Sequence, residues 1–138
     1  MRLERSETGP NFKTGPGGIY DLDYLAGVLQ ARHQVWLTGN LRERLQLLHE
    51  SGLLKTDEFE RLAESALFLR TLEHLVRLVI GRARKWLPVA DHPRRSMQKL
   101  LWRVLGAQES FDPEERLKQI LHQTREVFLR HWRPGEMH

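Results

Sequence analysis

Apolar residues recur at intervals of three and four along most of the chain from residue 19 onward. That spacing places side chains on one face of a helix. It predicts five amphipathic helices, which we place at about 21 to 37, 41 to 50, 57 to 85, 93 to 105 and 113 to 133. The third helix is the longest of the five.

Residues that begin or end helices agree with these limits. Asn40 suits the N-cap of the second helix, and Thr56 is the expected cap of the third. Pro93 falls in the first turn of the fourth helix, which Gly106 ends. Asp112 precedes a proline at the first position of the fifth helix, a typical helix start.

The apolar faces of these helices predict which side chains are buried. His33 falls on the inward stripe of the first helix, so we expect it to be a hydrogen-bonded core residue rather than a metal ligand. Val104 is expected to point inward from the fourth helix. The tryptophans are expected in the core or on a docking surface: Trp36, Trp86, Trp102 and Trp132.

The helical pattern defines the fold class. Alternating β-type patterns do not exceed a few residues, and most connections are short, so the chain is predicted to be an all-α, antiparallel bundle of about five helices. A Gly/Pro-rich N-terminal extension at 1–18 precedes a single helical-bundle domain at 19–138. One ambiguity is the segment 18–23, which fits either a short strand or the first turn of a helix.

Composition narrows the compartment and the partners. The 138 residues suffice for one core, the chain contains no cysteine, and no apolar run reaches membrane-spanning length. Residues 1–5 lack the apolar segment of a signal peptide. We therefore expect a cytoplasmic protein with no membrane partner. The net charge of +4 is a weak bias toward acidic partners.

A glycine-rich loop precedes the first helix and contains Lys13, Gly17 and Gly18. Glycine lets backbone N–H groups approach a phosphate, and the helix dipole favours negative charge, so the loop could bind an anion. The P-loop pattern, GxxxxGK followed by Ser or Thr, is absent, and a linker is the preferred interpretation.

Asp21 and Asp23 directly follow this loop. On a strand, residues two apart point the same way and could share a divalent cation, whereas on a helix they diverge by roughly 200°. The preferred interpretation is that two acids in the first turns of a helix complement its dipole.

Basic residues flank the proline-containing loop before the fourth helix. They could form a partner-binding patch, and a solvated surface is the preferred alternative. The set is Arg82, Arg84, Lys85, Arg94, Arg95, Lys99 and Arg103. No nucleic-acid-binding motif accompanies them, so no nucleic acid is expected. The seven histidines show no metal-binding spacing, so no metal site is expected either.

Three segments resemble a known family. Residues 13–25, KTGPGGIYDLDYL, are similar to the K-x-G-x-G-G-[IL]-x-D-[IL]-E-F segment of glutamine synthetase adenylyltransferases and the related PII uridylyltransferases. Residues 49–54 and 68–74 resemble two further segments of the same enzymes. Tyr20 stands where the family often has arginine, and Asp23 replaces a common glutamate.

The resemblance implies a setting that composition and spacing do not show. In the family, a nucleotidyltransferase domain precedes this segment and transfers AMP from ATP to glutamine synthetase, or removes it, under the control of PII protein. Magnesium and ATP are thus implied for the parent enzyme. The metal-binding strand of that catalytic domain has no counterpart here, so we expect no complete catalytic site, no cofactor bound by this chain alone and no independent activity.

Residue by residue, the resemblance assigns the edge of a nucleotide or metal site to five positions: Lys13, Gly17, Gly18, Asp21 and Asp23. Two alternatives stay open. One is a helical protein-interaction module that acts alone through its basic residues. The other is the equivalent domain of a PII uridylyltransferase, against which the closer match of residues 68–74 to the adenylyltransferases argues mildly.

Overall fold

A computed structural model describes residues 10–33, 39–88, 90–106 and 112–131. Within these ranges the chain forms five helices and no strand. The helices are α1 (Ile19–Arg32), α2 (Leu41–Glu50), α3 (Thr56–Ile80), α4 (Asp91–Leu105) and α5 (Pro113–His131). The predicted all-α helical bundle is confirmed, and no helix in the described ranges is long and apolar enough to cross a membrane.

Two helix starts form as the capping residues predict. At α2, the Asn40 side chain accepts the Glu43 N–H at 2.9 Å, and the Glu43 carboxylate accepts the Asn40 N–H at 2.9 Å. This reciprocal pair is a capping box, which satisfies two N–H groups that the helix leaves without partners. At α5, the Asp112 carboxylate accepts the N–H of Glu114 at 3.1 Å, with Pro113 at the first helical position.

Three limits of α3 and α4 differ from the predictions. The N-cap of α3 is Lys55 rather than Thr56, and the Glu58 carboxylate accepts the Lys55 N–H at 3.1 Å. α3 ends at Ile80, well before residue 85, because Gly81 takes a left-handed conformation with φ of 91°. α4 begins at Asp91, two residues before the predicted start at Pro93.

α1 begins earlier than predicted, at Ile19, which makes residues 19–23 helical. It ends at Arg32, and residues 34–37 of the predicted helix lie outside the described residues. His33 is exposed just after the helix, so its prediction as a core residue was wrong.

The core is arranged around α3, which contacts each of the other four helices. Its buried residues extend from Glu58 to Val76 along most of its length. The buried residues of α4 are only Met97 and Leu101, and Val104 is 56% exposed, which contradicts its predicted inward orientation. Trp86 and Trp102 are half-buried, and the other two tryptophans, Trp36 and Trp132, lie outside the described residues.

Side-chain contacts show the directions of the helices. Asp21 of α1 pairs with Arg125 of α5, and Arg32 at the end of α1 donates to the His131 carbonyl at the end of α5. α1 and α5 therefore run in the same direction. Early residues of α3 contact late residues of α5, as in the Asp57–Arg130 pair, so α3 runs antiparallel to α5.

Candidate functional site

The N-terminal loop, residues 10–18, packs onto the bundle through Phe12, whose side chain is fully buried. The Phe12 N–H donates to the Lys85 carbonyl at 2.9 Å. The Asn11 side chain accepts hydrogen bonds from the N–H groups of Lys13 and Thr14 at 3.0 and 2.9 Å, which stabilises a tight turn at residues 11–14. The predicted loop is therefore ordered and attached to the core. The limits of the N-terminal extension and the bundle domain stay a prediction.

Two glycines in this loop are required by close backbone packing. A Cβ at Gly17 would lie 2.0 Å from the Leu121 carbonyl oxygen of α5, and Gly17 also has a φ of 79°. A Cβ at Gly18 would lie 2.7 Å from the Phe12 carbonyl oxygen. Any side chain at these positions would displace backbone, so the glycines allow the loop to contact α5 and to fold against itself.

The backbone N–H groups at the start of α1 already have acceptors within the chain. Residues 18, 19 and 20 donate to the carbonyl oxygens of residues 15, 12 and 13, at 3.0, 3.1 and 3.0 Å. The Gly17 N–H donates to the Asp21 carboxylate at 2.7 Å. These are the groups that the sequence suggested for binding an anion. In the folded chain, loop carbonyls and one carboxylate occupy them.

Asp21 links the loop to α5. Besides accepting the Gly17 N–H, its carboxylate pairs with the Arg125 guanidinium at 3.2 Å. That guanidinium lies over the Phe128 ring, 5.0 Å from the ring centre, a cation–π arrangement. Asp21 therefore holds the loop and α5 together at one point.

A chain of alternating charges links the loop and α1 to α3. The Lys13 ammonium pairs with Glu73 at 3.3 Å, and Glu73 also pairs with Arg70 at 3.3 Å. Arg70 in turn pairs with Asp23 at 3.4 Å. Lys13 and Glu73 are mostly buried, with 23% and 18% of their side chains exposed, so their pair is less screened by water than a surface pair.

The helical alternative for Asp21 and Asp23 is the correct one, since both lie within α1. Their carboxylates contact different partners, Arg125 for the first and Arg70 for the second. Among the residues that the structure describes, no group of three or more His, Cys, Asp or Glu side chains is arranged to hold a metal ion.

Sequence reasoning missed the residues that these motif positions contact. Arg70 and Glu73 lie in a segment that carries the family resemblance, so a signal for them was present. Leu121 and Arg125 had none, because both lie about a hundred residues after their partners in the loop.

The predicted basic patch divides into groups with different surroundings. Arg94 pairs with Glu114 of α5 and donates to the Pro88 carbonyl at 3.4 Å. The hydrogen bond from Arg94 holds the pKa of the Glu114 carboxyl below its usual value. Arg84 lines a cavity of about 200 Å³ beside Trp86 and Pro93.

The remaining members of that patch are exposed. Arg95, Lys99 and Arg103 follow one another at four-residue spacing, which places them on one exposed face of α4. Arg82 and Lys85 are exposed in the segment before it. The structure thus brings three of the seven together on one helix face.

Two aromatic side chains are exposed next to the N-terminal loop. Tyr20 and Tyr24 lie four residues apart on α1, with 55% and 47% of their surface exposed. The Tyr24 ring stacks on Phe128 with a centroid distance of 6.3 Å. Large exposed aromatic residues on a helix beside an ordered loop form a surface that another domain could contact.

These features define a class of domain, a helical bundle with a glycine-rich N-terminal loop. Ion pairs and close backbone packing hold the loop against the bundle. The family model described as GlnD PII-uridylyltransferase matches residues 2–133. The chain belongs to this family.

Curated relatives agree with the predicted resemblance. The chain is 30% identical over 99 residues to the bifunctional glutamine synthetase adenylyltransferase/adenylyl-removing enzyme of Chromobacterium violaceum. It is 28% identical over 96 residues to the enzyme of the same name from Hahella chejuensis. The matches cover 69% and 67% of this chain but only 11% and 10% of the two relatives. The chain thus spans about a tenth of the length of these relatives.

Proposed function

We propose that this chain is a helical domain that supports the transfer of AMP to or from glutamine synthetase, while an adjoining nucleotidyltransferase domain carries the catalytic groups. In this proposal the chain alone is inactive and holds no cofactor for the transfer reaction, whereas the parent enzyme uses ATP and magnesium. Glutamine synthetase and a PII protein are the partners, and the setting is the regulation of nitrogen metabolism in the cytoplasm.

The observation that carries the proposal is how the N-terminal loop is held. Gly17 packs against the α5 backbone, Asp21 pairs with Arg125, and Lys13 pairs with Glu73. These contacts fix the position of the loop relative to three helices. A nucleotidyltransferase domain that packs against the loop would therefore meet a preformed surface, and catalysis depends on such fixed positions.

The five motif positions have a place in this proposal. Lys13, Gly17, Gly18, Asp21 and Asp23 would form the edge of a nucleotide or metal site whose main part lies in the adjoining domain. Asp23 supports this role because 41% of its side chain is exposed beside the loop. The internal contacts of the other four limit what they can offer, so their contribution is chiefly the position of the loop.

One finding favours a different protein substrate. The matched family model is described as a PII-uridylyltransferase, so the substrate could be a PII protein instead of glutamine synthetase. A helical module that acts alone is the other alternative. The exposed basic face of Arg95, Lys99 and Arg103 favours it, since such a face suits an acidic protein surface.

A chimeric enzyme tests the proposal. The segment of the Chromobacterium violaceum enzyme that aligns with this chain would be replaced by the chain, and AMP transfer to that organism's glutamine synthetase measured with ATP and magnesium. We expect the chimera to keep AMP transfer, a version with the segment deleted to lose it, and the purified chain alone to have none.

Two results would contradict the proposal. AMP transfer by the purified chain would show that it carries its own catalytic groups. A folded chimera without AMP transfer would show that the chain does not support this reaction. Replacing glutamine synthetase with a PII protein, and ATP with UTP, in a matching uridylyltransferase chimera then tests the other branch.

A further inference from the structure

A groove of about 520 Å³ lies between α1, the start of α2 and the middle of α3. Pockets for small molecules have roughly 300–1,000 Å³ of volume, so this groove is of suitable size. Its charged and apolar lining residues are Asp23, Arg42, Arg44, Arg70, Leu41, Ala63, Ala66 and Leu67. We call it the arginine groove.

The lining carries unbalanced positive charge. Three arginines face one aspartate, and Arg70 is already paired with Asp23 at 3.4 Å. Arg42 and Arg44 form no ion pair with any residue that the structure describes. Two guanidinium groups are therefore available to an anion.

The position of these arginines in α2 adds to the positive potential. Both lie near the start of the helix, where the helix dipole is positive and cations are unfavourable. The one acid of the first turn, Glu43, accepts the Asn40 N–H at 2.9 Å in the capping box. An anion in the groove would relieve the repulsion between the arginines and the helix start.

The apolar part of the lining adds a second requirement for the ligand. Ala63 and Ala66 present small side chains from α3, and Leu67 beside them is 54% exposed. A bare inorganic ion would leave this surface in contact with water. A ligand with both an anionic group and an organic part would cover both kinds of surface.

We propose that the arginine groove binds a small organic phosphate. Its phosphate contacts Arg42 or Arg44, because a single planar guanidinium gives paired hydrogen bonds to phosphate oxygens. Its organic part lies against Ala63, Ala66 and Leu67. This site is separate from the N–H groups of the N-terminal loop, and it does not depend on the function proposed above.

Calorimetric titration of the full chain in metal-free buffer tests the proposal, with inorganic phosphate, AMP and ATP as separate probes. We expect AMP and ATP to bind, and inorganic phosphate to bind more weakly because it lacks the organic part. The Arg42→Gln, Arg44→Gln double variant removes two charged hydrogen-bond donors, so AMP affinity should fall by roughly tenfold or more.

A matched control removes the same charge elsewhere. Arg95 and Lys99 are exposed on α4, outside the groove lining, so the Arg95→Gln, Lys99→Gln double variant should bind AMP like the natural chain. Equal weakening in both double variants would overturn the proposal, since it would indicate only general attraction of anions to a basic protein. No binding of AMP or ATP would also overturn it.

The organic part has its own test. Leu67→Asn changes an exposed side chain, so the fold should be kept, as circular dichroism would show. We expect it to weaken AMP binding and leave inorganic phosphate binding unchanged. Equal affinity for AMP and inorganic phosphate, or tighter binding of a glutamate-rich peptide than of AMP, would overturn the assignment to an organic phosphate. The chimera measures AMP transfer instead, so failure of one proposal is distinguishable from failure of the other.

Discussion

The N-terminal loop and α4 are both attached to α3, but different contacts hold them. The loop is held by a buried Phe12, by close approach of Gly17 to α5 and by ion pairs that include Lys13 and Glu73. α4 buries only Met97 and Leu101 and is joined to α5 through the pair of Arg94 with Glu114.

The difference shows what the family motif does in this chain. Motif residues in the loop meet backbone or charged groups that tolerate little change in shape. Apolar burial, which holds α4, accepts many combinations of side chains of similar volume. Sequence constraints are therefore expected to be tighter at the loop than in α4, although the family model matches both.

The largest expected effect is at Gly17. Gly17→Ala forces an alanine into a left-handed backbone conformation and places its Cβ 2.0 Å from the Leu121 carbonyl oxygen, so the backbone of the loop or of α5 must move. We expect a loss of about 3 kcal/mol or more in the free energy of unfolding, measured by urea denaturation. Gly81→Ala is the control, because Gly81 has a similar φ of 91° and open space around its Cβ. It should cost only about 1 kcal/mol. Equal losses would show that the loop does not pack closely on α5.

A second test concerns the apolar attachment of α4. Leu101→Ala empties a fully buried site, and we expect a loss of about 2–3 kcal/mol. Hydrogen exchange should speed up first in α4, because few other buried residues hold it. Val104→Ala on the same helix, at a position 56% exposed, should change stability by less than about 0.5 kcal/mol. If hydrogen exchange instead became faster by the same factor in all helices, the idea that α4 is held separately by its few buried residues would be contradicted.

The charged attachment of the loop should contribute less. Glu73→Gln removes the partner of both Lys13 and Arg70, and we expect a loss of about 1 kcal/mol that shrinks in high salt. Glu126→Gln breaks a more exposed pair with Arg61 and should cost less than about 0.5 kcal/mol. If Glu73→Gln and Glu126→Gln lose the same stability with the same salt dependence, the ion pairs of Glu73 are no better shielded from water than an exposed surface pair.

The smallest effect is the pH dependence of the α4 to α5 pair. Because Arg94 lowers the pKa of Glu114 in the folded chain, the pair contributes stability above the ordinary glutamate pKa of 4.5 and loses it as the pH falls below that value. Glu114→Gln should therefore lose less stability on acidification than the natural chain. Glu115→Gln, at an exposed neighbouring position, should lose as much stability on acidification as the natural chain does. Identical pH profiles for all three proteins would show that the pair is not formed in solution.

Much of the fold could be predicted from local patterns. Capping residues such as Asn40 and Asp112 act within one helical turn, so the starts of α2 and α5 were predicted correctly. The end of α3 was not, because the helix was extended as far as the segment that contains Pro88, and the signal of Gly81 was passed over. Val104 was misplaced because, among the described residues, α4 packs extensively against α3 alone, so its apolar stripe is broader than the surface it buries.

The residues of the candidate site were predicted, but the contacts that they make were not. The sequence named Lys13, Asp21 and Asp23, and the family resemblance gave them a role. Their partners are Glu73, Arg125 and Arg70, which lie far away in the chain. Pairing between distant charges depends on how the helices pack, which spacing along the chain does not encode.

Hydrogen exchange at residues 17–20, measured by NMR on the purified chain, tests the central claim about the loop most directly. The structure gives each of these N–H groups an acceptor within the chain. Slow exchange, comparable to that of buried α3 amides and unchanged by ATP and magnesium, is the predicted result. Exchange at the rate of an unfolded peptide, with protection only after ATP and magnesium are added, would contradict it and would show an open anion-binding loop instead.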